Sequence, residues 1–308
     1  MAPVGVHFIT VTKEGSRLRL WLLEQVRPSS GVIQSEMDLD DPLSLVDPYS
    51  QAAMLALLWN PKPKRIYFAG FGAGRVPMIL HHYFPQATID CAEIEPTVVT
   101  VAERFFGAKL DNRLRVQIED GRVWLAQHEG HFDMMMVDVF LDNGYSPYRL
   151  STVEFYELCR DRLTPDGVLI VNMLAEDSYL AERLQSLGRV FKTIYVCPIQ
   201  EENNVVIAHN CGEVEQESLV DKAAALQGIH RFNFPFARHI PSLSSDLRSI
   251  APTLEEAYPF MDDAPPEGYF DSLPSFNTPF SRVDAKLPCP CGSGRKFGDC
   301  HGLPARSK

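Results

Sequence analysis

Residues 66–80 read IYFAGFGAGRVPMIL: an apolar strand, a glycine turn and the start of a helix. This is the usual way an α/β protein grips a nucleotide-like ligand, because glycines remove Cβ atoms where backbone turns sharply and approaches a ligand. The spacing Gly70-x-Gly72-x-Gly74 departs from the dinucleotide fingerprint, since Arg75 stands where its last glycine would fall. A tight strand–helix turn with no ligand remains the plainer alternative.

The flanking sequence continues the alternation. Strand RIYFA leads to helix RVPMILHHYF, strand TIDCAE and helix PTVVTVAERFF. Strand LRVQI, helix VWLAQH, strand FDMMMVDV, helix TVEFYELCRDRL and strand GVLIVN follow. After AEDSYLAERLQSLGRVF the pattern changes to TIYVCPIQEENNVVIAH, two β runs joined by a polar turn, which predicts a hairpin rather than another crossover. A mostly parallel sheet with one antiparallel strand is expected, an ending typical of S-adenosylmethionine-type transferases and rare in dehydrogenases. Ahead of it, VGVHFITV, LRLWLLEQ and GVIQS predict a small antiparallel β unit over residues 1–47, and PYSQAAMLALLW opens the main domain, 48–211. Residues 212–285, rich in Pro, Ser and aromatics without period, read as an irregular flank or linker, although EVEQESLVDKAAALQ could form a helix.

Composition narrows the partners. Apolar residues make up 45% and charged residues 22%, an ordinary globular balance. A formal net charge of −11 argues against DNA or an anionic membrane as a partner and suits cationic small molecules. No signal peptide or bilayer-spanning run is read, and Cys91, Cys159, Cys197 and Cys211 are scattered as in a reduced cytosolic protein, so a cytoplasmic enzyme is expected.

Two acids sharpen the ligand reading. Glu93 ends the second main-domain strand, about 20 residues beyond the loop, where a carboxylate can accept hydrogen bonds from both ribose hydroxyls. Asp120-Gly121 ends the third, where an acceptor can meet an adenine amino group. Either acid alone would be an ordinary loop carboxylate; together beside the loop they point to a nucleoside site.

These motifs resemble the spermidine synthases, or polyamine aminopropyltransferases. GVIQS, GFGAG, EIEP (93–96), EDG (119–121), FDMMMVDVF (132–140) and the pattern through Gly167 follow that family in order over roughly residues 15–210. The resemblance implies a class I S-adenosylmethionine-dependent methyltransferase-like (Rossmann-like) α/β fold. It also implies cofactor contacts from Gln34, Gly70, Gly72, Gly74, Glu93, Asp120 and Gly121, a catalytic Asp138, and substrate contacts from Tyr49 and Asp142. Two of the family's acids are replaced, by Ala73 in the loop and by Leu141 after the catalytic strand, with Asp142 one step further on. Fewer anions weaken the case for a dicationic acceptor. They also leave room for a donor that keeps its carboxylate, with Arg75 as its counter-ion. The donor is thus either decarboxylated S-adenosylmethionine or S-adenosylmethionine, and the small-molecule acceptor an amine. A sulfonium already activates its alkyl carbon, so the site needs an acceptor held in line and a base to take its proton, for which Asp138 is the best placed. Asp138 as a mere loop cap or binding residue is the alternative. Two rival functions stay open: a methyltransferase, and a non-catalytic adenosyl-ligand-binding adaptor acting through its tail.

The tail LPCPCGSGRKFGDCHG (287–302) carries the most specific motif. Cys289, Cys291, Cys300 and His301 flank a glycine turn, and thiolate and imidazole are the ligands tetrahedral zinc prefers. A redox or chance cluster is the alternative. The stretch is similar to the SEC-C motif, which implies a docking module over 286–304 for a protein or the ribosome. A homo-oligomer is compatible with everything above. The purified chain is expected to carry one zinc, lost on truncation before Leu287 and lowered by Cys291→Ser, with methylthioadenosine affinity nearly unchanged. Equal zinc in both chains by metal analysis would place the metal elsewhere.

Overall fold

The computed structural model describes residues 2–4, 7–24, 31–140, 146–199, 203–267 and 269. Four strands, β1 (Ala2–Val4), β2 (His7–Glu14), β3 (Arg17–Glu24) and β4 (Gly31–Asp38), pair antiparallel in sequence order as the N-terminal sheet. Helix α1 (Pro48–Ala53) then leads to β5 (Arg65–Ala69), α2 (Arg75–Tyr83), β6 (Thr88–Glu93), α3 (Pro96–Phe105), β7 (Leu114–Ile118) and α4 (Gly121–Gln127). After these come β8 (Phe132–Val137), α5 (Val153–Arg162), β9 (Leu163–Leu174), α6 (Leu180–Gly188), β10 (Thr193–Ile199), β11 (Asn203–His209) and α7 (Gln216–His230).

The main sheet has seven strands in the order β10-β11-β9-β8-β5-β6-β7. β5 to β9 run parallel, while β11 inserts antiparallel between β9 and β10, as the predicted hairpin requires. The chain order reverses between β5 and β8, and their carboxyl ends form the crevice where open α/β sheets bind ligands.

Central strands feed both faces. Ile66 and Phe68 enter one core, and Tyr67 and Ala69 the other. Met134 and Met136 alternate with Met135 in the same way, so the methionine run is buried packing, as its apolar continuity implies. Cys91, Cys159 and Cys197 are free and buried within these cores. A third cluster joins the N-terminal sheet to α3 through Leu18, Leu20, Met37, Val98 and Phe106.

The flank after residue 212 differs from a detached linker. Helix α7 buries Leu219, Ala223 and Leu226, one stripe at helical spacing, and Phe232, Phe234 and Phe236 extend the same core. Aperiodic aromatic residues here are anchors, because each fills a recess without needing regular secondary structure around it. Beyond them Ser244 bridges Val196 at the sheet edge, and a strap crosses α6 and reaches α5. Phe260 N donates to Ser186 Oγ at 2.8 Å, and Val153 N donates to Phe260 O at 2.8 Å.

The strap ends on two charged anchors. Asp262 receives Arg122 Nη1 and Nη2 at 2.7 and 2.5 Å and the Thr152 hydroxyl at 2.8 Å. Arg183, fully buried, pairs with Asp177 at 2.6 Å and donates to Tyr269 Oη at 2.9 Å and to Ser151 Oγ. A buried guanidinium is tolerated only when its donors are met this way. Asp262→Ala strands Arg122 and is expected to cost about 1–3 kcal/mol in urea unfolding, with a smaller loss for Asp262→Asn.

Candidate functional site

The glycine loop is built by absence of side chains. Gly70 lies at φ +94°, and a Cβ there would collide with the Asp138 carbonyl. Gly74 lies at φ +72°, where a Cβ would come within 2.6 Å of the Phe71 ring. Only glycine meets both demands. Gly70 N donates to Ala92 O at 2.9 Å, tying the loop to β6.

Glu93 organises the loop. Its Oε2 accepts from Phe71 N at 3.0 Å, with Gly72 N at 3.5 Å, and its Oε1 accepts from Glu95 N at 3.0 Å. Burial raises its pKa, and these three amides oppose the shift. The carboxylate at the strand end therefore holds backbone while keeping acceptor capacity for hydroxyl donors.

The N-terminal sheet supplies the other wall. Ser35 Oγ accepts from Ala73 N at 3.1 Å. Gln34 is the extra residue of a β-bulge: Ile33 faces Trp21 and Ser35 faces Leu20, leaving Gln34 without a partner on β3. Bulges re-aim a side chain, and this one sets the predicted cofactor residue beside the loop. Asp120 Oδ1 caps α4 by accepting from Val123 N at 3.0 Å. Gly121 lets α4 start against β5, since a Cβ would lie 2.9 Å from that of Ala69. Ile94 and Ile118, at the carboxyl ends of β6 and β7, are 56% and 51% exposed. Apolar side chains left open beside a ribose-type acceptor suit the flat face of a purine, so the residues present fit an adenosyl group.

At the end of β8, Asp138 N donates to Ala69 O at 3.0 Å, while its carboxylate accepts from Asn172 Nδ2 at 3.0 Å and from the Tyr49 hydroxyl. Burial raises the Asp138 pKa against both hydrogen bonds. Asn172 is positioned in turn by Asn203, whose Nδ2 donates to its Oδ1 at 2.9 Å. Sequence reasoning missed Asn172 and Ser35. The signal for the first was one amide inside the apolar run GVLIVNML; nothing marked the second.

Asp47 is a further acid that sequence reasoning missed. It stands at the N-cap of α1 yet makes no capping bond there, and its Oδ2 accepts from Glu36 N at 3.3 Å instead. Burial, with the charges of Glu36 and Asp138 close by, pushes its pKa up to about 6.

Two expectations change. Arg75 is buried rather than open at the loop: its Nη2 donates to the carbonyls of Pro42 and Ser44 at 2.5 and 3.2 Å and braces the 42–44 turn, while its Nε and Nη1 have no hydrogen-bond partner among the described residues. Ala73 is fully buried in the cluster beneath the N-terminal sheet, so the loop's fourth position packs a methyl against apolar neighbours. Asp142 and the four expected tail ligands, Cys289, Cys291, Cys300 and His301, lie outside the described residues. Among the described residues no group of three or more His, Cys, Asp or Glu is placed to hold a metal ion, and no helix is long and apolar enough to cross a membrane.

Known proteins resemble this chain in sequence and fold. Residues 50–216 match the spermine/spermidine synthase domain, and residues 287–303 match the SEC-C motif. The polyamine aminopropyltransferase of Chromobacterium violaceum is 31% identical over 248 residues, which cover 79% of this chain and 92% of that protein. A probable spermidine synthase from Corynebacterium glutamicum shares the fold at a TM-score of 0.66 and 17% identity, over 86% of this chain and 99% of that one. Human methyltransferase-like protein 13, in complex with SAH, is 29% identical with a TM-score of 0.52, over 59% of this chain and 89% of that one. The chain belongs to the spermine/spermidine synthase family and carries a SEC-C motif after its synthase domain.

Proposed function

We propose that the chain transfers an alkyl group from an adenosyl sulfonium donor to an amine, with Asp138 as the base. The observation that carries this reading is the Tyr49–Asp138–Asn172 arrangement at the crevice, one strand away from a loop and carboxylate suited to adenosine. The donor supplies an alkyl carbon already activated by a positive sulfur. The chain's own residues do the rest. Gln34, Glu93 and Asp120 with the 70–74 loop hold the nucleoside, and Tyr49 and Asn172 orient the Asp138 carboxylate. An alkylamine with a pKa near ~10 arrives protonated and cannot attack until its proton has gone to a base. A carboxylate whose pKa burial has raised takes that proton more readily than an exposed one.

An aminopropyl transfer from decarboxylated S-adenosylmethionine is the first form of this reading, supported by the family and by the acidic lining that Asp47 and Asp138 share. Methyl transfer from S-adenosylmethionine is the second, favoured by the buried Ala73 at the position where the family resemblance calls for an acid. The SEC-C tail fits a structural zinc held by Cys289, Cys291, Cys300 and His301, in a cytoplasmic enzyme that docks through its tail.

Calorimetry with methylthioadenosine and both donors, followed by mass spectrometry of reactions with putrescine, separates the two forms. Failure of every adenosyl compound to bind would refute the nucleoside site, and Glu93→Ala is expected to weaken methylthioadenosine by about 1–3 kcal/mol. Asp138→Asn should keep donor affinity and lower turnover by roughly 10²-fold. The wild-type rate should fall as pH drops through the raised Asp138 pKa, because the base must be ionised; turnover of the Asn variant equal to wild type would remove Asp138 as base.

Asp47 yields a stability test with a definite sign. Its pKa is raised in the folded state to about 6 from an ordinary 3.8, so the fold favours the protonated form. Stability is fully present below the unfolded value and declines as pH rises toward 6. Asp47→Asn should therefore stabilise the ligand-free protein at pH 7 by about 1–3 kcal/mol while raising the KM of a cationic acceptor. A destabilised variant with unchanged KM would show that Asp47 serves the fold alone.

A further inference from the structure

A second cavity lies at the opposite end of the main sheet from Asp138. It occupies about 620 Å³ between α7 and the two turns that enter β5 and β6. That volume is in the range of sites that hold one small organic molecule. Leu58, Trp59, Phe84, Ala87 and Leu226 contribute to its wall, which is overwhelmingly apolar. Ile229, at the α7 side, is 69% exposed, so a large apolar side chain stands open to water beside the cavity.

The charge around this cavity runs against the rest of the chain. The protein carries a net −11, yet the lining includes Lys62, Lys64 and Lys222 and no aspartate or glutamate. Among the described residues, none of the three lysines is engaged in an ion pair. Two come from the turn before β5 and one from α7, so the cations meet from separate elements. Helix α7 begins at Gln216, at the end of the match to the synthase domain, and forms one wall of the cavity.

We propose that this cavity binds one amphipathic organic anion, an acyl or aryl carboxylate, with its apolar body between α7 and the sheet and its carboxylate among Lys62, Lys64 and Lys222. Burial of the apolar body drives binding, and the lysine stems can lie along it while their ammonium groups reach the carboxylate. The unopposed positive rim selects sign: a cation with the same apolar body gains the burial and suffers the repulsion. A concave site for one ligand body, with three cations at its rim, fits a free monomer better than a membrane surface. The site is separate from the adenosyl crevice, and the inference stands whether or not the transferase reading holds.

The test uses the full chain and dodecanoate below its micellar concentration, followed by calorimetry and by displacement of 1-anilinonaphthalene-8-sulfonate fluorescence. One dodecanoate per chain is expected, with dodecyltrimethylammonium at least tenfold weaker. Lys62→Glu combined with Lys222→Glu should reverse that preference. Ala225→Trp, which adds bulk from the exposed side of α7, should abolish binding of both. Circular dichroism and thermal melting of each variant establish that it is folded; Ala225→Leu serves if the tryptophan variant is not. No binding by the wild type, equal binding of the two opposite charges, insensitivity to the Ala225 variants, or capture by anionic vesicles without binding of the monomer would each overturn the proposal.

Discussion

The Asp138 carbonyl rests against the Cα of Gly70, and the rest of the crevice follows from that contact. Two adjacent parallel strands, β5 and β8, can keep their hydrogen bonding to the last residue because nothing projects between them: Asp138 N still reaches Ala69 O at 3.0 Å. The glycine loop leaves on one side of this junction and the acid on the other. Their separation is therefore a property of sheet geometry, which side-chain flexibility cannot blur. Glu93 then fixes the loop from the third side by drawing its amides onto one carboxylate. A site assembled on strand ends in this manner is preorganised by the same bonds that hold the sheet together.

The electrostatics around Asp138 carry a cost that the fold accepts. Asp47 and Asp138 are both raised by burial, and each lies within the other's field. Glu36, which adds to the charge on Asp47, is itself engaged by Arg19 at 3.1 Å. The N-terminal sheet thus supplies a paired cation to the outer acid, while the inner acids have hydrogen bonds and, at Asp47, the more distant charge of Arg75 against their burial. Groups held at unfavourable charge in a crevice are a recurrent mark of a site that waits for a ligand of opposite sign. Asp47 is held at a cost in stability, with the Glu36 amide as its hydrogen-bond partner and no capping bond to α1.

Most of the main sheet was readable from period and length alone. The run from Arg65 to His209 alternates apolar segments of strand length with helical stripes, and the elements follow in the order the pattern gives, the closing hairpin included, although β9 starts earlier than GVLIVN and α6 is shorter than the helical run expected. The flank after residue 212 was not, since Phe232, Phe234 and Phe236 are packed by fit to recesses in a surface made elsewhere in the chain, and such fit leaves no period. The places of the candidate residues Glu93, Asp120 and Asp138 at strand ends were readable because the fold class puts strand ends there. Their supports were less so. Ser35 and Asn172 act across the space between elements, one at the bulge and one on a neighbouring strand; only the assembled sheet puts an amide of β9 beside an acid of β8. Arg75 misled for the same reason: its place after the loop suggested an open charge, and the 42–44 turn that covers it could not be anticipated from local sequence.

The clamp at Asp262 joins residues 140 positions apart and ties the first turn of α4 to the strap. A chain made from its amino end completes the seven strands, all before residue 210, well before the strap that fastens the segment leading out of the acid-bearing strand. Assembly is therefore ordered by topology: sheet and glycine loop first, the strap last. Closing so long a loop costs roughly 4 kcal/mol of chain entropy if nothing else is in place, and far less once the sheet has brought its ends together. During that interval Arg122 and Arg183 would each lack a partner, Asp262 for the first and Tyr269 for the second. The strap is thus the last part of the described fold to be fastened.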